Sequence, residues 1–389
     1  MRRYLQRFAE AFRKGDLVLL LLCVVATAFG CLMIASTTNA SSTGALRYLI
    51  IQIGASLAGI IMYVIMSAVD TDFLAEHRMS LVAFNIFLLL LLIPFGETIS
   101  GNRSWLNFPL LPFNIQPAEI CKITFVLILA SVMNAHQNSL SSVPAIGHML
   151  LHLGILFGVN YLISSDMGVS LIFVFIFVGM TFAGGVSSVW FLGAIGLLVA
   201  TVPIIWGMIP ADNYMKTRIE VIFNPDLDPL GTGPAYQTML AQRSLTGGGL
   251  TGQGLFQGHR TQTPGALFAQ HTDFIFAAIG EELGFLGCAL VLVLLFLIVF
   301  RCIWVGLRSQ DTIRRLVCFG VASALIFQVL VNVGMCIGVA PVIGLTLPFI
   351  SYGGSSIITL YAMLGLVSGI YARPAPISHE RYIRPPMHF

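Results

Sequence analysis

Residues 17–36 read LVLLLLCVVATAFGCLMIAS, a run without a single charge. A stretch of about 20 apolar residues, coiled as an α-helix, matches the thickness of a bilayer's hydrocarbon core. Arg2, Arg3, Arg7, Arg13 and Lys14 precede it, as in a secretory signal. The run is longer than the roughly 7–15 apolar residues of such a signal, and more runs follow, so it reads as an uncleaved first span. Ala28-Phe29-Gly30-Cys31 makes a poor lipidation signal.

Working outward, runs of similar length lie near 46–69, 79–95, 117–134, 143–163, 166–184, 187–209, 274–300, 314–339 and 353–371. Lipid offers the backbone no hydrogen-bond partners, so helices are the default. A transmembrane barrel would instead show short alternating strands, and these runs do not alternate. The expected fold is an all-α integral membrane protein, a bundle of about ten transmembrane helices. The composition agrees: 57% of residues are hydrophobic and only 10% charged. Water-soluble domains carry roughly 25% charged residues to solvate their surface. The net charge of +3 is small and no basic stripe carries interleaved aromatics, so nucleic acid is not an expected partner. The 7 cysteines form no CxxC pair and no zinc spacing, and read as small packing residues.

Lysine and arginine placement sets the orientation. With the N-terminus in the cytoplasm and ten spans, most of the 20 basic residues fall inside, including Arg78, Arg301, Arg308, Arg314, Arg315, Arg373, Arg381 and Arg384. The short outer loops carry only Arg47 and Arg103. Three regions follow: a cytoplasmic segment at 1–16, a polytopic membrane domain at 17–372, and a cytoplasmic tail at 373–389. Both termini are expected inside. Within the membrane domain, an extracytoplasmic loop at 210–272 precedes the eighth helix. At roughly 60 residues it far exceeds a usual connection, so partial order at the outer surface is expected. It contains Asn224-Pro225-Asp226-Leu227-Asp228-Pro229, an amphipathic stretch at 236–245, and a glycine-rich run at 247–258. That run lacks the Lys-Ser/Thr of a P-loop and sits in no βαβ context, so it reads as a tight turn rather than a nucleotide cradle.

Several groups could carry chemistry. Glu119 and Lys122 sit three residues apart in the outer half of the fourth helix, close enough to pair on one face. Ionisable residues at membrane depth usually face a cavity or a partner, although a purely structural ion pair is the plain alternative. Asp273, in Gln270-His271-Thr272-Asp273, stands where the long loop enters the eighth span. It is either an N-cap or a partly desolvated general base. His271 reads as a hydrogen-bonding loop residue or a proton carrier. In Asn102-Arg103-Ser104-Trp105, the arginine suits an anionic headgroup or a diphosphate, and the tryptophan an interfacial anchor. Proline and glycine break the helix between Asn332 and Ser356, in a segment that includes Ser351 and Ser355. A serine nucleophile is unsupported there, since neither S-x-x-K nor G-x-S-x-G is present.

The same segments carry a resemblance. Gln116-Pro117-Ala118-Glu119 with Lys122 resembles the Q-P-[SA]-E-x-x-K segment of the SEDS family (RodA, FtsW and SpoVE). His271-Thr272-Asp273-Phe274-Ile275-Phe276, followed by Gly280-Glu281-Glu282-Leu283-Gly284, resembles the family's H-T-D-F-I-F-A-x-x-x-E-E-x-G segment. Pro348-Phe349-Ile350-Ser351-Tyr352-Gly353-Gly354-Ser355-Ser356 resembles its P-[FL]-[IVF]-S-Y-G-G-S-[SA] segment. The likeness runs from about 17 to 372. Ser165-Asp166-Met167-Gly168 departs from the common P-D-L-G, and Phe268-Ala269-Gln270 lacks a proline usual before H-T-D. Asn332-Val333-Gly334-Met335 resembles the RodA branch more than the FtsW branch.

The resemblance implies a peptidoglycan glycosyltransferase in the bacterial cytoplasmic membrane that polymerises lipid II at the outer face, for cell elongation. It implies Asp273 as the catalytic carboxylate, with Arg103, Trp105, Glu119, Lys122, His271, Ser351 and Ser355 in support. It implies a class B penicillin-binding protein as partner, beside the membrane lipids. A divalent cation, Mg or Mn, is left open, since no carboxylate cluster demands one. Two other readings use the same topology. A lipid II flippase would place polar residues through both halves of the membrane, and a non-catalytic scaffold in division or sporulation would tolerate loss of Asp273.

Overall fold

The computed structural model describes residues 14–39, 45–99, 101–108, 112–210, 213–228, 232–233 and 235–373. The expected terminal segments, with Arg2, Arg3, Arg7, Arg13, Arg381 and Arg384, lie almost wholly outside the described residues, as does Pro229.

Among the described residues, 10 helices are long and apolar enough to cross a membrane. In chain order they are Leu17–Thr38, Leu46–Ala68, Arg78–Phe95, Pro117–Ala135, Val143–Ser164, Met167–Gly184, Ser188–Met208, Ile275–Arg308, Thr312–Ile337 and Gly354–Ala372. Short polar residues start several of them. The side chains of Asp16, Ser142, Asp166, Ser187 and Asp311 each accept a hydrogen bond from a first-turn N–H. The fifth, sixth and ninth end on left-handed residues, Ser165, Gly185 and Gly338.

The fourth and tenth spans are the most enclosed. The tenth packs closely on the second because glycine removes the intervening side chain. A Cβ at Gly365 would meet the carbonyl oxygen of Tyr63 at 2.5 Å, and one at Gly369 that of Ser67 at 2.6 Å. The seventh span buries none of its residues. It is tied at one end by Trp190, whose Nε1 donates to the Ser141 carbonyl at 2.9 Å. At the other, Lys216 donates to the carbonyls of Trp206 and Ile209 at 3.2 and 2.9 Å.

The eighth span differs from the expected 274–300. It is 34 residues long and broken at Gly284, with φ 67° and ψ −162°. Only glycine takes that conformation readily. The glycine-rich loop crosses the break and supplies the hydrogen bonds the helix loses there. Gln253 N–H donates to Glu281 O and Gly254 N–H to Glu282 O, both at 3.0 Å, while Phe285 N–H donates to Gly249 O at 2.9 Å. A Cβ at Gly248 or Gly252 would collide with the carbonyls of Gly280 and Glu282. Irregular backbone at membrane depth is thereby enclosed in protein. Buried Glu282 accepts from Ser36 Oγ at 2.5 Å, Thr261 Oγ1 at 2.7 Å, Gln262 Nε2 at 3.1 Å and Phe256 N–H at 3.2 Å. The amphipathic stretch at 236–245 forms a helix, Tyr236–Gly248.

One departure from an all-helical chain is a two-stranded antiparallel hairpin, β1 (Gly96–Ile99) and β2 (Asn102–Leu106), between the third and fourth spans.

Candidate active site

Chain breaks at one end of the bundle bring separate segments together. Asp273 ends the long loop one residue before Phe274, which is the N-cap residue of the eighth span and makes no side-chain cap. The capping reading of Asp273 therefore has no geometric support. Its backbone is fixed instead. Asn332, fully buried in the ninth span, donates through Nδ2 to the carbonyls of Asp273 at 2.8 Å and Leu345 at 2.7 Å. Ser351 Oγ donates to the Thr272 carbonyl at 2.6 Å and accepts from Leu347 N–H at 2.8 Å. Tyr352 N–H donates to the His271 carbonyl at 2.8 Å. The loop between the ninth and tenth spans thus grips residues 271–273. A Cβ at Gly344, where φ is +73°, would lie 3.8 Å from Asp273 Oδ2.

The same loop reaches the start of the sixth span, since a Cβ at Gly168 would meet Ile343 O at 2.5 Å. This juxtaposition brings in a residue the sequence reading passed over, Asp166. Its Oδ1 accepts from Val169 N–H at 3.1 Å, and its Oδ2 from Ser104 Oγ at 3.2 Å and Gln116 Nε2 at 3.1 Å. Gln116 N–H donates to Ser355 Oγ at 3.2 Å, linking the tenth span. Glu119 and Lys122 form the expected ion pair at 2.7 Å, at 4% and 1% exposure. Thr359 Oγ1 donates to the second oxygen of Glu119 at 2.9 Å.

Electrostatics joins these groups. Burial raises the Asp273 carboxyl from 3.8 to about 6, and the negative charge of Asp166 adds to the rise. Burial likewise raises Asp166, against the hydrogen bonds from Val169 and Ser104; Glu119 adds to the rise and Lys122 opposes it. Burial lowers His271, which favours its neutral ring. That ring packs against Tyr48 at 4.8 Å and Tyr352 at 5.8 Å between centroids. Asp273 keeps part of its surface open, and among the described residues no donor bonds its carboxylate. A carboxylate so placed can accept a proton from a bound hydroxyl.

Arg103 and Trp105 stand apart from this group. Ser104 faces inward to Asp166, and Arg103 and Trp105 project from the other face of β2. Arg103 is exposed and donates to the carbonyls of Ile93 at 2.6 Å and Gly96 at 3.2 Å, closing the end of the third span. Among the described residues, no group of three or more metal-ligating side chains gathers.

Comparison with known proteins gives the context. Residues 16–374 match the cell cycle protein family of FtsW, RodA and SpoVE. The peptidoglycan glycosyltransferase MrdB of Escherichia coli K12 is 32% identical over 329 residues, 84% of this chain and 86% of that protein. The probable peptidoglycan glycosyltransferase FtsW of Geobacter metallireducens is 32% identical over 372 residues, 94% of this chain and 96% of that protein. Among solved structures, a chain of a peptidoglycan synthase complex that coordinates polymerization and crosslinking aligns with a TM-score of 0.76 and 28% identity, covering 95% of this chain and 99% of its own. The rod shape determining protein RodA of Thermus thermophilus aligns at 0.65 and 26%, covering 92% of this chain and 96% of its own. The chain is a multi-pass membrane protein and belongs to the FtsW/RodA/SpoVE family.

Proposed function

We propose that the chain is a peptidoglycan glycosyltransferase that polymerises lipid II, with Asp273 as general base. The observation that carries this reading is the Asp273 carboxylate itself. It is raised to about 6, partly open, free of protein donors among the described residues, and within electrostatic reach of a second buried carboxylate, Asp166. Asp273 takes the proton from the acceptor sugar's 4-hydroxyl. That oxygen forms the new bond to the donor's anomeric carbon. The bond from that carbon to the diphosphate breaks, and undecaprenyl diphosphate leaves with the electron pair. Asp166 keeps Asp273 basic, and the Glu119–Lys122 pair sets the charge around Asp166. Ser351 and Ser355 position the loop rather than react, because their hydroxyls are committed to Thr272 and Gln116. Arg103 and Trp105, outward on the hairpin, meet the substrate at the rim. A divalent cation, Mg or Mn, would enter on the substrate's diphosphate, the usual way Mg²⁺ reaches a phosphate site.

On this reading the site end of the bundle faces outward across the bacterial cytoplasmic membrane and both termini lie in the cytoplasm. Support comes from the arginines at the opposite span ends, Arg301, Arg308, Arg314 and Arg373. The partner is a class B penicillin-binding protein, a reading supported by the synthase complex among the structural relatives. The elongation role rests on the likeness to RodA, since curated relatives of the MrdB and FtsW kinds are equally identical.

The test is reconstitution of the purified protein with its transpeptidase partner in vesicles holding lipid II on both leaflets. Glycan polymer in the presence of a transpeptidase inhibitor is the expected result. Transfer of lipid II between leaflets without polymer would establish a flippase instead, and neither product would favour a scaffold.

A further inference from the structure

At the end of the bundle far from Asp273, the last turns of the eighth and tenth spans enclose a cavity of about 280 Å³. Trp304 and Tyr371 form its aromatic wall, 6.2 Å apart between ring centroids. Two guanidiniums lie over the one indole, Arg308 at 3.9 Å and Arg301 at 4.2 Å from its centroid. The second is neutralised by Asp16, which accepts from Arg301 Nε at 2.7 Å and NH2 at 3.1 Å. Among the described residues, Arg308 has no carboxylate partner. Arg373, also on the rim, gives its hydrogen bonds to the Ala68 and Val69 carbonyls and, among the described residues, has no carboxylate partner either. The nearby carboxylate of Asp72 is taken by Arg314 at 2.7 Å, and that of Asp311 caps the ninth span.

The cavity therefore combines two arginines without a carboxylate partner among the described residues, the polar side chain of Ser309 and an apolar floor that includes Ile370, at the ends of two helices of membrane-spanning length. Guanidinium recognises phosphate oxygens in a fixed fork, and basic pockets between transmembrane helices suit anionic lipid headgroups. Tryptophan and tyrosine prefer the same interfacial depth. Leu307, beside Arg308, is 69% exposed and offers an apolar surface next to the cavity. We propose that this cavity binds the phosphate headgroup of an anionic membrane phospholipid. The phosphodiester sits between Arg308 and Arg373, with the glycerol against Trp304 and Tyr371. The inference uses the membrane fold but not the glycosyltransferase reading.

The test uses the full chain in nanodiscs of equimolar phosphatidylglycerol and phosphatidylcholine, released into mild detergent, with retained lipids counted by native mass spectrometry. Wild type is expected to retain phosphatidylglycerol several-fold over phosphatidylcholine. Arg308→Gln and Trp304→Leu, each checked for monodisperse elution, should bring that ratio to near one. Arg243→Gln, in the loop at the other end, should leave it unchanged. Equal retention of both lipids by wild type, or undiminished enrichment in both folded variants, would overturn the proposal. A parallel titration of lipid-free protein with inorganic phosphate separates the sources. Saturable quenching of tryptophan fluorescence that is present in wild type and absent in Trp304→Leu, with equal lipid retention, would assign the cavity to a soluble phosphate and also overturn it.

Discussion

Asp273 is held by its backbone while its carboxylate stays available, and this arrangement has two measurable consequences. The base must be ionised, so polymerisation should fall as pH drops through about 6. Replacing Asp166 by Asn removes a charge that raises Asp273, and the acid limb of the pH–rate profile should move to lower pH. A limb left in place would mean that the two carboxylates do not interact. The second consequence concerns stability. A raised folded-state carboxyl prefers its proton, so its favourable contribution is full below the ordinary 3.8 and is lost as pH rises through about 6. At pH 7.5, Asp273→Asn should therefore melt at or above wild type, with a gain of about 1–3 kcal/mol. The Glu119–Lys122 pair behaves differently. Lys122→Met strands a buried carboxylate and should cost about 3–5 kcal/mol, whereas Glu119→Gln with Lys122→Met should recover most of the loss. Activity should stay lost in the double variant; full activity there would make the pair purely structural. Asp273 and this pair were legible in the sequence, by motif and by helical spacing. Asp166 was not, because along the chain it is simply an N-cap between two spans. Its meaning comes from a loop more than 170 residues away that packs at Gly168 and touches Asp273.

Among the elements, the broken eighth span was the hardest to foresee. Hydropathy runs on through it, with Glu281 and Glu282 as the only interruption between Phe274 and Phe300. Those acids anchor the glycine-rich loop, whose pattern excludes a nucleotide cradle but carries no sign of where the loop sits. Gly284→Ala forces an L-residue into a conformation that is nearly glycine-only, at a cost of about 1–3 kcal/mol. Limited proteolysis should then cut within 249–262 faster than in wild type. Equal protection would show that the loop does not depend on the break. The hairpin escaped notice for a related reason. Residues 96–106 carry no strict alternation beyond Ser104 and Leu106 inward against Arg103 and Trp105 outward. Period-two patterning over so few residues is a weak signal.

For the whole molecule, the number and limits of the spans were legible because lipid leaves few alternatives to an apolar helix of bilayer length. The separation of the seventh span was not. Its mean hydropathy, 2.2, is the same as that of the largely buried ninth, and hydropathy does not distinguish a lipid-facing helix from an enclosed one. The proposed orientation has a direct check. In a cysteine-free background, a thiol at Asn224→Cys should react with an impermeant maleimide added outside intact cells, and one at Gln137→Cys only after lysis. The reverse pattern would invert the topology and move the Asp273 site to the cytoplasm. The most direct test of the account is lipid II polymerisation by purified wild type and Asp273→Asn, each with its transpeptidase partner and each shown to be folded by thermal melting. Polymer from wild type and none from the amide variant is the predicted result, and equal polymer from both would contradict catalysis by Asp273.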